Sequence, residues 1–516
     1  MINKHFHVLS IIDKYLLKYF ILWFCLISIS SFAGIKSKNI DNDTVLSYNQ
    51  AYDIMHLTFS EDSLFAPEQL EEDFLFFYTK ILEIHPNPYH VISKDSLDKK
   101  VENIAKSLDK PMNRREFWLK IAILNNYFDS HTMIFEIPEI YKYYSENLKF
   151  TLPEDIVRAD ISGNLYFNPE YFEKSLAGKY IKSINNIPAE QIVEEISAYY
   201  SRENKNLSPI YFGYRFYKFY VNLFGSTDSL RFEYKKNDNE IDVRTFYKKS
   251  LTNKEAFQSE QQTEWKAIRL KLYEKESIAI IEINTSDIDD LGENYRKDLE
   301  ISMSSIIGKN IKNLFIDISR NGGGSSDNAL EIFNFIATEK KKYYVASAEI
   351  KISSGYRALM RQFGEKYSLW QKIFNKTYKQ IFLSPIGSII KRDFYWEKNN
   401  SAIQYKQNLY LIQSNSSYSA AVNLSSLVKA YKLATIIGEE TGGLTGCYIN
   451  CVCLAMPNTS IPFMCSVQKA INVGGAMDGR GVLPDIEYKI ENPEKSFTLE
   501  QLKEMLQLVE EYNKNQ

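Results

Sequence analysis

The chain has 516 residues, of which 44% are hydrophobic and 25% charged, and its formal net charge is -3. That is an ordinary globular composition, long enough for several domains at roughly 100–200 residues each. The near-neutral balance excludes the basic footprint of a nucleic-acid-binding protein.

At the N-terminus Lys4, Lys14 and Lys18 precede an apolar run from Tyr19 to Ile29, and Ser31-Phe32-Ala33-Gly34 follows. The run falls short of the about 20 residues of a membrane span. Its small-x-small ending is that of a secretory cleavage site. Residues 1–33 therefore read as a signal peptide, and the chain as exported to the periplasm, the outer membrane or the medium. Membrane association is expected only through an uncleaved N-terminal anchor. Cys25 is a poor lipidation site because bulky Leu22-Trp23-Phe24 precede it.

Residues 34–60 are polar and read as a linker. Residues 61–147 read as a helical N-terminal domain. Pro67 opens one helix, with Leu70, Phe74, Phe77 and Ile81 at helical spacing, and His85-Pro86-Asn87-Pro88 ends it. A second helix starts at Asn113, with Glu116 placed for a capping box, and Phe117, Ile121, Leu124 and Phe128 as its stripe. It runs into Asp129-Ser130-His131-Thr132.

Residues 148–255 change to short strands and turns. A strand ends in Asn185-Asn186, and a helix is expected from about Ala189 to Tyr199. Ser229 to Tyr234 and Ile241 to Phe246 read as paired strands. Residues 256–495 read as an α/β core. Its strands are Ile278 to Ile283, Leu314 to Ile318, Leu409 to Ile412 and Ala434 to Ile437. Its helices run from about Asp327 to Ala337 and from Ser419 to Tyr431. Residues 340–407 interrupt the alternation and read as an insertion or lid. Residues 496–516 form a terminal helix or tail.

Four cysteines lie close together at Cys447, Cys451, Cys453 and Cys465. In an exported chain they could pair as disulfides, and buried free thiols are the other reading. Their spacing is a weak zinc signal, with no histidine nearby in sequence.

Three pieces can carry chemistry. Asn415 to Ala421 places Ser419 between a strand and a helix, where a hydroxyl faces outward and the Ala420 N–H can meet an oxyanion. A serine in that position is more often a plain N-cap. Asn321-Gly322-Gly323-Gly324 follows a strand and frees backbone N–H groups for an anion. It lacks the Gly-Lys-Ser/Thr ending of a phosphate loop. Ser130-His131 ends a helix, where histidine is commonly structural.

In combination and in this order, these pieces resemble the S41 family of serine peptidases, which includes the carboxy-terminal processing proteases and the tricorn core protease. Leu314 to Gly324 resembles the family's strand and oxyanion loop. Tyr418-Ser419-Ala420-Ala421 resembles its nucleophile turn. Gly481-Val482-Leu483-Pro484-Asp485 resembles its closing segment. Gly178 to Pro188 is similar to the PDZ-like domain common there, and His85-Pro86 and Asp129 to Thr132 resemble N-terminal motifs of one branch.

The resemblance implies a mixed α/β catalytic core of the ClpP/crotonase-like type, with a helical N-terminal domain and a PDZ-like β-rich domain. It implies a peptide or unfolded-protein substrate, and no metal or organic cofactor. Processing proteases of the family use a Ser-Lys dyad, but Leu444 occupies the expected lysine position. No lysine lies between Lys432 and Lys469. The tricorn-like branch instead implies Ser419 as nucleophile and His131 as base, with Ser130 beside it and Asp478 as the acidic member. Glu439 and Asp485 are substitutes for Asp478. Gly322 or Gly323, with Ala420, would form the oxyanion hole. Two other readings are an inactive relative that binds peptides through the PDZ-like domain, and an acyl-CoA enzyme on the same core. The signal peptide argues against the latter.

Overall fold

A Pro at the first turn and an apolar stripe favour a helix after residue 66. The computed structural model forms it over Pro67–Ile84. The structure describes residues 45–515, except 61, 148–155, 161, 170–174, 202–207, 226, 238, 248–265, 288–293, 338–341, 365–374, 398–402 and 491–494. The expected signal peptide lies outside the described residues. Among those described, no helix is long and apolar enough to cross a membrane.

The first described element is α1 (Tyr48–Met55). Residues 45–56 are thus not a plain linker: Val45 and Leu46 are buried, and Leu46 pairs with Cys453. Next come α2 (Pro67–Ile84), α3 (Lys94–Lys106) and α4 (Arg114–Ile121). The capping box at α4 forms, with Glu116 N–H donating to Asn113 Oδ1 at 2.9 Å and Asn113 N–H to Glu116 Oε2 at 3.1 Å. The chain then tightens to a 3₁₀ turn over Ala122–Tyr127, which leads through Asp129 to Thr132 into β1 (Met133–Ile134). Helix α5 (Pro138–Asn147) follows.

Strands β2 (Val157–Ala159) and β3 (Leu165–Phe167) pair antiparallel. The hairpin β4 (Ile181–Ile184) and β5 (Ile187–Pro188) turns at Asn185 and Asn186, both at positive φ as Asn tolerates. Helices α6 (Ala189–Ser197) and α7 (Ser208–Phe224) precede β6 (Ser229–Asn237) and β7 (Glu240–Tyr247). The sheet order is β5-β4-β6-β7. Helix α7 was not expected in this strand-rich stretch. Its burial rests on aromatics such as Phe212, Phe216 and Phe219.

The core sheet begins with β8 (Ile268–Tyr273) and β9 (Ile278–Ile283). It continues through α8 (Tyr295–Gly308), β10 (Asn313–Asp317), and the short helices α9 (Ser326–Glu331) and α10 (Phe333–Ile336). The single helix expected over 327–337 is therefore two pieces. Next are β11 (Lys342–Lys351), α11 (Ser354–Gly364), α12 (Lys376–Leu383) and β12 (Ile389–Glu397). Then come β13 (Asn408–Gln413), α13 (Ala420–Ala430), β14 (Thr435–Gly438), β15 (Gly446–Ala455), β16 (Pro462–Asn472), β17 (Ile486–Glu487) and α14 (Leu499–Lys514).

The six-stranded order is β17-β14-β13-β10-β9-β8, parallel except for the β8–β9 pair. Its strands are continuous apolar runs because both faces are covered. Helices α8, α9, α10 and α13 pack one face, and α14 the other through Leu502, Met505 and Val509. The buried Glu282 on β9 is held by Lys271 at 3.2 Å and Arg320 at 3.0 Å.

A second sheet runs β1-β16-β11-β12, with β15 also on β16. Residues 340–407 are thus no detached lid, since β11 pairs with β16 inside this sheet. Its apolar face shares one core with α2 to α5 and with the 156–246 region. Strand β16 places the site, because it carries β1, and with it Asp129 to Thr132, on its edge through Met133 to Met464 and Ile134 to Phe463.

Candidate active site

Ser419 sits where β13 gives way to α13. The turn is pinned from below: Ser417 Oγ donates to the Ile318 carbonyl at 2.8 Å, and Tyr418 N–H to the Asn321 carbonyl at 3.0 Å. Gly443 N–H donates to the Ser417 carbonyl at 3.0 Å. These bonds hold Ser419 at φ 53°, ψ -113°, a conformation costing about 1–3 kcal/mol for a residue other than glycine. Its hydroxyl makes no capping bond to the helix, and the residue is exposed. An ordinary N-cap would have extended φ and a bonded side chain. Ser419 instead presents a free hydroxyl at the positive end of α13.

Two glycines make room for it. A Cβ on Gly323, which has φ +108°, would lie 2.7 Å from Ser419 Cβ, and one on Gly443 would lie 3.0 Å from Ser419 N. The loop after β10 therefore lies directly against the serine. Asn321 holds it, donating to the Ile283 carbonyl at 3.0 Å and accepting the Gly323 N–H at 2.9 Å. That last bond corrects one expectation: the Gly323 N–H is committed to Asn321 and is not a waiting oxyanion donor. Gly322, exposed at the loop tip, and Ala420, at the head of α13, remain.

His131 arrives from the other side of the molecule, on the segment before β1. Its ring lies nearly parallel to that of Tyr418, with centroids 6.4 Å apart and planes at 14°. Ser130 Oγ is 2.8 Å from Tyr418 Oη and 3.4 Å from His131 Nδ1. Burial lowers the His131 ring below the ordinary imidazole value, against the Asp129 charge and a hydrogen bond to the Tyr448 backbone, which both favour the proton. The structure thus brings Ser130 and His131 to the residue next to Ser419. Among the described residues no direct hydrogen bond joins His131 to Ser419. Substrate-free sites often hold such pairs apart until the reacting complex forms.

The expected acidic member is not at the histidine. Asp478 is exposed, and its Oδ1 accepts the Arg480 N–H of its own turn at 3.1 Å. Its substitutes are occupied as well. Glu439 accepts from Asn415 N at 3.3 Å, and Asp485 accepts Ile436 N at 2.8 Å and pairs with Lys429. The carboxylate acting on His131 is that of the fully buried Asp129. Its Oδ1 accepts the His131 N–H at 2.9 Å and the Ser466 hydroxyl at 2.7 Å, and its Oδ2 lies 2.8 Å from His85 Nε2. Sequence reading placed Asp129 within a motif but gave it no role, because its partners lie 44 and 337 residues away.

Cys451, Cys453 and Cys465 are free thiols in the structure. Cys451 Sγ–H donates to the His131 carbonyl at 3.3 Å. Burial pushes the Cys451 and Cys465 thiols well up and Cys453 to about 12, so these are inert packing groups. Leu444 is buried at 8% exposure beside Gly443, so the position expected for a lysine is apolar.

A parallel strand running into a helix headed by a strained serine, with a glycine loop from the neighbouring strand against it, is an arrangement that a serine hydrolase on an α/β core would use. The particular group follows from comparison. Residues 277–488 match the model of peptidase family S41, so this part of the chain is similar to that family, whose members are serine peptidases. The match runs from β9 to just past β17 and contains Ser419 but not His131. Mature CPAF complexed with lactacystin is 11% identical, with a TM-score of 0.55 over 87% of this chain and 99% of that one. Mature CPAF alone is 11% identical, with a TM-score of 0.53 over 82% and 92%. A photosystem II D1 C-terminal processing protease is 13% identical over 82% and 94%, with a TM-score of 0.43. The first two likenesses show a shared fold. No curated protein matches the sequence.

Proposed function

We propose that the chain is an exported serine peptidase in which Ser419 is the nucleophile and His131 its base. The observation that carries this reading is Ser419 itself: exposed, held at φ 53°, and not spent on capping α13. Ser419 Oγ gives its proton to the unprotonated nitrogen of His131 and bonds to the carbonyl carbon of a peptide. The oxyanion takes hydrogen bonds from the N–H groups of Gly322 and Ala420, each worth about 2.7–4 kcal/mol to the transition state. His131 then protonates the leaving amine, and water, activated by the same ring, releases the acyl group. Ser130 positions the ring. Export rests on the N-terminal signal sequence.

A second reading, capture of peptides without cleavage, is favoured by β7. It is an edge strand with Ile241, Val243 and Tyr247 exposed, open to strand addition. A fluorophosphonate probe separates the two. The peptidase labels, Ser419→Ala does not, and His131→Ala labels at a rate reduced by roughly 10³ or more. A folded parent that stays inert from pH 5 to 9 would favour capture. Labelling unchanged in His131→Ala would remove the histidine from the mechanism.

A further inference from the structure

Resting on the assignment of His131 as base, we propose that Asp129, held by His85, is the acidic positioning residue of this site. It fixes the loop that carries His131 and supplies the negative charge for the imidazolium that forms when Ser419 gives up its proton. Asp129 is not a catalytic group, since it touches neither substrate nor the reacting atoms. It acts through the His131 backbone and through its charge.

The geometry singles out this carboxylate. It is fully buried, yet both oxygens are satisfied: one by the His131 N–H and the Ser466 hydroxyl, the other by His85. Asn87 N–H donates to His85 Nδ1 at 3.0 Å, so the ring proton sits on Nε2 and points at Asp129. His85 packs in turn against the stacked His90 ring at 5.4 Å and the Tyr448 ring at 4.6 Å, which touch each other at 4.5 Å. Lys351 Nζ closes the His85 carbonyl at 3.0 Å. A buried carboxylate with this many fixed donors remains charged. Burial alone would raise it, and the His85 ring, the nearby His131 and a Thr132 bond together hold it below the ordinary range.

His131 is the partner of that charge that the proposed reaction protonates. Facing Asp129 are His85 and His90 from the segment after α2, Cys451 from β15 and Cys465 from β16. Facing His131 are Asp129 on its own segment, Ser130 and Tyr418 on the nucleophile side, and the Tyr448 backbone on β15. Both thiols are protonated through the working range, so they contribute no charge. A proton arriving on His131 is therefore matched by the buried Asp129 charge, which already favours it. Asp478, on the exposed turn, has no comparable role.

The test measures the fluorophosphonate labelling rate against pH for the full chain and for Asp129→Asn, Asp478→Asn, His85→Gln and His85→Leu, with folding checked by thermal unfolding. The proposal expects Asp129→Asn to label about ten- to a hundredfold more slowly, the size of one unit charge acting across a few ångströms of protein. Its acid limb should move to lower pH, since the charge that favours His131 protonation is gone. The fall should exceed that of Asp478→Asn. His85→Gln keeps a donor for Asp129 and should stay within about threefold of the parent, whereas His85→Leu should fall with Asp129→Asn.

A folded Asp129→Asn with the parent's rate and limb overturns the proposal. So does a fall in Asp478→Asn equal to or larger than that in Asp129→Asn. If Asp129→Asn does not fold, equal rates for His85→Gln and His85→Leu overturn it. In each of these cases labelling of the parent and its loss in His131→Ala keep the base assignment intact. A parent that never labels overturns both.

Discussion

Ser130 Oγ and Tyr418 Oη lie 2.8 Å apart across 288 residues of sequence. This bond ties the loop that bears His131 to the turn that bears Ser419, beside the stacked rings of His131 and Tyr418. Tyr418→Phe removes one such bond, worth about 1 kcal/mol net. The expected result is a roughly fivefold fall in kcat, with KM for a peptide substrate nearly unchanged. Ser130→Ala should match it, and the double variant should fall no further than either single, because both remove the same bond. Steady-state kinetics on the four proteins checks this.

The pH dependence follows from His131. Burial lowers its ring below the ordinary imidazole value of about 6.5, and a general base works only when unprotonated. The acid limb of kcat/KM, which reports the free enzyme, should therefore lie below pH 6.5. Activity should persist at a pH where an exposed histidine is already mostly protonated, and disappear as pH falls through the lowered value. A limb above 6.5 would mean that the Asp129 charge outweighs the burial of the ring.

Much of this was legible in the sequence, and the failures have physical causes. The stripe of Leu70, Phe74, Phe77 and Ile81 and the Asn113–Glu116 box are local patterns, and both formed as read. So did the strands around Ile278, Leu314, Leu409 and Ala434, since a strand buried on both faces has to be a continuous apolar run. Helix α3 has the same kind of local pattern, with Ser93 as N-cap and Leu97, Val101 and Ile104 behind it. Nothing local announces that β11 joins β16, or that Asp129 reaches Ser466. Those are pairings between distant segments, and periodicity carries no signal for them. Ser419 was marked by resemblance, while its positive φ and unbonded hydroxyl required the folded turn.

Gly323 offers a steric test. With φ at +108° and only 2.7 Å to Ser419 Cβ, an added methyl group meets the nucleophile itself. Gly323→Ala should lose labelling almost completely and destabilise the chain by roughly 1–3 kcal/mol from backbone strain. Gly322 has ordinary φ and nothing within 4 Å of its added Cβ, so Gly322→Ala should unfold within about 0.5 kcal/mol of the parent. Paired denaturation curves distinguish the two glycines. Equal losses would mean that the loop does not lie against the serine.

The last prediction concerns what holds the histidine segment in place. Arg114 is buried with its ion-pair partner Glu139 at 3.0 Å, and its remaining N–H groups donate to the carbonyls of Leu57 at 2.8 Å, Thr459 at 3.0 Å and Ser460 at 3.2 Å. Asp73 grips the same turn, accepting Thr459 N–H at 2.8 Å and Asn458 N–H at 2.7 Å. That turn joins β15 to β16, and β16 carries β1. Arg114→Met leaves Glu139 buried without its partner and should cost about 3–5 kcal/mol, whereas Arg114→Met with Glu139→Leu should recover most of the loss. Because the clamp lies far from Ser419, Arg114→Met should lower the unfolding temperature before it lowers the labelling rate of protein that is still folded. A variant that melts like the parent would mean that the pair does not anchor the N-terminal helices to the second sheet.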